Sequence, residues 1–108
     1  MVNSTLFEKW IEENISTLNM ELAKCRLKAN KYQKIYSGKL FAYTRLNGID
    51  CDDEYSVILE DIEEIERKVQ REQIDLPKEN RIDKWVYYGI ITACEDAKIT
   101  LKALCSRR

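Results

Sequence analysis

Apolar side chains recur along the first third of the chain at alternating spacings of four and three: Ile11, Ile15, Leu18, Leu22, Cys25, Ala29, Tyr32 and Tyr36. Such a seam, held over more than three heptads, predicts one long helix with coiled-coil character. Thr5 and Glu8 stand at capping-box spacing and mark its start. Ser37-Gly38 marks its stop, because Gly takes the left-handed conformation at a helix end without a Cβ penalty. Lys39 to Leu46 then forms a short helical element ending at Asn47-Gly48. The alternative is that the first helix continues through Gly38.

A second seam follows at Tyr55, Ile58, Ile62, Ile65 and Val69, with Asp52 as its cap and Asp53 and Glu54 near its positive end. This helix fades near Gln73. Ile74-Asp75-Leu76-Pro77 reads as a connector, with Pro77 suited to a first helical turn. A third seam, Ile82, Val86, Ile90, Ala93, Ala97, Leu101 and Leu104, predicts a helix from Lys78 to Cys105. Within it Trp85 to Ile91 has strand-favouring residues, but helical periodicity on both sides outweighs them. Gly89, Ala93 and Ala97, four residues apart, invite close approach by a neighbouring helix. The expectation is an all-α fold in one domain over residues 1–108: an elongated antiparallel three-helix bundle with a short helical element between helices one and two. Its up-down-up pattern resembles a spectrin-type repeat in architecture alone.

Charge adds a second pattern. From Leu22 to Ile49 there are seven basic residues and no acid: Lys24, Arg26, Lys28, Lys31, Lys34, Lys39 and Arg45. From Asp50 to Glu66 there are nine acids and no base, although the net charge is only -1. Folding the two blocks together brings Lys28 near Asp61 and Arg26 near Glu63, provided that helix one breaks at Gly38. Complementarity therefore favours the break. The positive block thus reads first as an internal clasp and second as a surface for nucleic acid, since Tyr32, Tyr36, Phe41 and Tyr43 interleave with its lysines. On that second reading Lys24, Lys28, Lys31, Lys34, Lys39 and Arg45 meet phosphates. The acidic block could in turn imitate them.

The residues available for chemistry are few. The chain has no histidine, so the usual acid-base catalyst at neutral pH is missing. Adjacent carboxylates such as Glu63 and Glu64 diverge by about 100° around a helix and do not converge on one substrate. Neither a glycine-rich phosphate loop nor a nucleophile elbow is present. Cys25, Cys51, Cys94 and Cys105 form no C-x-x-C pair, which speaks against zinc and for reduced thiols in a cytosolic protein. Cys51 and Cys105 share one pole of the expected bundle, where a redox-labile disulfide fits. No enzyme activity, cofactor or metal is expected, and no membrane contact.

An interaction module remains. The third helix is apolar on more than one side, so Trp85, Tyr87, Tyr88 and Ile91 are expected to meet a protein partner or a second copy, with Trp10 as a further anchor. The expectation is a homodimeric protein-binding module acting as adaptor or inhibitor of a larger machine. The Lys/Glu/Asn/Ile/Tyr-rich composition resembles that of small helical proteins of phages and other mobile elements.

Overall fold

The computed structural model describes residues 4–24, 31–49, 54–75, 77–78 and 81–105. Among these residues the chain is helical throughout its regular structure, in four helices: α1 (Ser4–Lys24), α2 (Lys31–Leu46), α3 (Tyr55–Asp75) and α4 (Lys84–Ala103). The all-α expectation holds. The three-helix arrangement is replaced by four because the first long seam is divided between two helices.

The division is fixed by a ring contact. Trp10 meets Tyr43 edge-on with centroids 5.4 Å apart, whereas one straight helix would hold them about 50 Å apart at 1.5 Å per residue. α1 and α2 are therefore two separate helices, with α2 laid along α1. Thr5 lies inside the first turn of α1, which already includes Ser4, so it does not cap that helix. Tyr32, assigned to the seam, is 56% exposed because α2 turns a different face inward: Gly38, Ala42, Tyr43 and Leu46.

Gly38 does not end a helix. No glycine has a positive φ, and α2 runs through Gly38 to Leu46. The reason is tertiary. A Cβ on Gly38 would lie 2.1 Å from the Val86 carbonyl oxygen, and one on Gly89 would lie 2.1 Å from the carbonyl oxygen of Ile35. The two glycines let the backbones of α2 and α4 touch at their crossing, the close approach anticipated from Gly89, Ala93 and Ala97. Lys34 reaches Asp83 before the crossing, and α2 and α4 run past it in the same direction. This is the most extensive helix pair, with α1 resting on α2 and α3 on α4.

The core follows the remaining seams. Ile58, Ile62 and Val69 of α3 and Ile90, Ala93, Ala97 and Leu101 of α4 are buried together with Phe7 and Ile11 of α1. Each large aliphatic side chain contributes about 1.5–3 kcal/mol on full burial, against about 0–1 kcal/mol for a surface ion pair. Burial therefore outweighs surface pairing in holding these helices together. Among the described residues the cross-helix pairs are Lys34–Asp83 at 2.9 Å and Lys98–Glu66 at 2.8 Å. Glu21 pairs with Lys24 on its own helix. Arg26, Lys28, Asp52 and Cys51, on which other parts of the clasp, the α3 cap and the disulfide depend, lie outside the described residues.

The α4 start also moves. Asp83 caps it, its carboxylate accepting from the Trp85 N–H at 2.9 Å, so the helix begins at Lys84 rather than Lys78. Asp83 combines an N-cap bond with an ion pair to Lys34, so one carboxylate both satisfies an orphan amide of the first turn and ties α2 to the start of α4. The body measures 47 × 34 × 18 Å, a flattened slab rather than a rod. No described helix is long and apolar enough to cross a membrane.

Candidate partner-binding surface

The first turn of α4 sets the geometry of this surface. Capping at Asp83 directs Trp85 and Tyr88, three residues apart on one helical face, to the same side. Their rings meet edge-on with centroids 6.4 Å apart. Tyr88 is 54% exposed, while Trp85 is half-buried.

The start of α2 completes the patch. Lys31 places its ammonium 5.4 Å from the Trp85 ring and 5.3 Å from the Tyr32 ring, and Lys84 lies 5.3 Å from Trp85 on its own side. Two cations thus face one indole, a contact favoured by the negative ring face. Lys34 donates to the Asp83 carboxylate. That bond, with the Trp85 backbone N–H, holds the Asp83 carboxyl below its ordinary range. Three lysines against one carboxylate leave the patch positive.

The aromatic and basic signals, separate in sequence, therefore converge in part. Trp85, Tyr88, Lys31 and Lys34 share the patch. Tyr87 is partly buried against the core, and Ile91 is half-buried on α4. Trp10 is committed to the α1–α2 seam, stacked on Phe7 at 6.0 Å and braced by Tyr43. The rest of the basic block is dispersed. Lys24 sits at the end of α1 beside Glu21, Lys39 is half-buried, and the Arg45 guanidinium lies 4.9 Å over Phe41.

Sequence reasoning missed Lys84 as a member of the surface and placed Tyr32 only in the apolar seam and among the stacking aromatics of the nucleic-acid reading. Lys84 follows a capping Asp and precedes Trp85, a pattern that marks the exposed entry of a helix. For Tyr32 the seam assignment pointed the wrong way.

A second feature lies where α2 meets α3. Phe41, Ile65, Val69 and Ile82 line a cleft rimmed by Arg45, Lys68 and Glu72, with a volume of about 80 Å³. Small-molecule sites usually measure about 300–1,000 Å³. Among the described residues no cluster of three or more carboxylates or thiols comes together as a metal site. Cys94 is buried, its thiol pushed up to about 12 chiefly by burial, which suppresses the reactive thiolate. No protein-family model, curated protein or solved structure matches this chain.

Proposed function

We propose that this chain is a non-enzymatic protein-binding module of the cytosol, self-associating, that works as an adaptor or inhibitor of a larger machine. The observation that carries the reading is the patch of Trp85, Tyr88 and Tyr32 flanked by Lys31 and Lys84. Trp and Tyr dominate binding energy at protein interfaces because they bury a large rigid surface with a polar edge. The lysines select an acidic partner and hasten its encounter.

Capture from the source cell tests this, with wild type and the Trp85→Ala/Tyr88→Ala double variant compared at matched folding. A partner held by wild type at low salt and lost with the variant supports the reading. Identical captures by both proteins refute this surface as the contact.

A second reading rests on Tyr32, more than half exposed beside Lys31: a stacking platform next to a phosphate-binding cation serves single-stranded nucleic acid. Anisotropy of a labelled single strand discriminates between the two. Micromolar binding that falls steeply with salt and disappears when Lys31, Lys34 and Lys84 are reversed would replace the adaptor reading.

A further inference from the structure

The outward face of α3 carries a stripe unlike the rest of the surface. Val57, Glu60, Glu64, Arg67, Arg71 and Ile74 follow one another at spacings of three, four, three, four and three, and all six are exposed. The order is apolar, acid, acid, base, base, apolar. Reversed, the stripe becomes its own complement: Val57 is matched with Ile74, Glu60 with Arg71, and Glu64 with Arg67. Every match has its midpoint between Ile65 and Glu66, and Glu63 with Lys68 shares it.

We propose that α3 is the contact between two copies of this chain, packed antiparallel about a two-fold axis at that midpoint. A two-fold contact uses one patch twice, so each pairing occurs on both sides of the axis. A heptad stripe is the spacing with which antiparallel helices stay in register over the roughly 25 Å from Val57 to Ile74. The charges set orientation, since a parallel pair would bring like against like.

Two local features fit this occupant. Ile74, 73% exposed, is the most exposed large apolar side chain described, and Val57 is 45% exposed. An open depression lined by Glu64, Arg67, Gln70, Arg71 and Ile74 lies where the two-fold brings Val57 and Glu60 of the second copy. Charge distribution within one chain is also uneven. Glu64 takes both Arg67, at 2.8 Å, and Arg71, at 3.6 Å, while Glu60 and Glu63 form no ion pair among the described residues. In the pair Arg71 gains Glu60 of the second copy, and Lys68 gains Glu63.

A stripe whose middle is charged makes a weak, salt-sensitive dimer. This inference rests on the self-association in the proposed function and assigns it a surface. Sedimentation velocity of the full chain, under reducing conditions and across a concentration series, tests it at low and high salt. Glu60→Lys/Glu64→Lys makes the stripe uniformly basic, and Arg67→Glu/Arg71→Glu makes it uniformly acidic. Each variant is expected to weaken its own dimer at least about tenfold, while a mixture forms heterodimers. The four-fold variant, with both signs exchanged, dimerises again. Circular dichroism verifies that each chain stays helical. A wild-type dimer unmoved by these reversals overturns the α3 contact and leaves self-association standing. A monomer at every concentration in low salt overturns both.

Discussion

Replacing Gly38 with Ala places a methyl group at the tightest point of the α2–α4 crossing. Its carbon would stand 2.1 Å from the Val86 carbonyl oxygen, 2.9 Å from the carbonyl carbon and 3.1 Å from the Ile90 nitrogen. An unstrained carbon–oxygen contact needs about 3.3 Å, so the helices must part by about 1 Å. The atoms in the way are backbone, which cannot rotate aside as a side-chain tip can. Parting loosens the contacts of Ala42, Ile90, Ala93 and Ala97, all essentially buried, and a gap of that size forfeits a quarter to a half of each dispersion well. Overpacking of this kind costs about 3 kcal/mol at its upper range. Ala recovers about 1 kcal/mol through helix propensity. The net expectation is a loss of about 2 kcal/mol, or roughly 10 °C in Tm for a chain of this size.

The Gly89→Ala change should cost about the same, because its Cβ meets the Ile35 carbonyl oxygen at the same 2.1 Å. The double variant is the sharper measurement. Once one methyl has parted the helices, the second fits with little further cost, so the two losses should fall well short of adding. Urea unfolding followed by circular dichroism at 222 nm gives all four stabilities. A stabilised Gly38→Ala, as expected at an exposed helical glycine, would refute the close crossing. So would strict additivity of the two changes.

Two further predictions concern titration and reactivity. The Asp83 carboxyl is held below its ordinary range in the folded chain by Lys34 and the Trp85 N–H. A group lowered by folding stabilises above its unfolded value and loses that contribution as pH falls through its folded value. Asp83→Asn, which keeps a capping oxygen, should therefore lower the urea midpoint at neutral pH, with the difference vanishing in acid; a constant difference would refute the ion-pair account. Cys94, buried and with its thiol pushed up to about 12, should resist a thiol reagent in the native chain and react on unfolding. A single-cysteine variant retaining Cys94 checks this, and rapid native labelling would show that the α4 core opens.

Much of the fold is legible in the sequence. Ile58, Ile62 and Val69, and Ile90, Ala93, Ala97 and Leu101, are the buried positions that their spacing names, because burial on one face imposes the helical period directly on sequence. That Trp85 and Tyr88 share one face of α4 apart from its buried seam was legible for a similar reason: large aromatics stood in excess of what one seam could absorb. The grouping of Lys31 with Trp85 was not legible. It joins residues 54 positions apart in the chain, and nothing local to either encodes the other.

Gly38 shows most plainly what sequence alone leaves open. A glycine after a long seam serves equally as a left-handed stop or as a bare patch of backbone for a neighbouring helix. Local propensity does not separate these roles, since both exploit the missing Cβ. The charge blocks favoured the stop, yet the surface pairs they promised are weak beside the burial gained by pressing α2 against α4. The sequence by itself determined an all-α chain, three apolar seams and the inward faces of α3 and α4. Only the tertiary structure decided that the first seam is split between two packed helices, that Gly38 meets α4 through Gly89, and which lysines stand beside Trp85. Those outcomes depend on which helices become neighbours, and neighbour choice is set by the summed packing of the whole core.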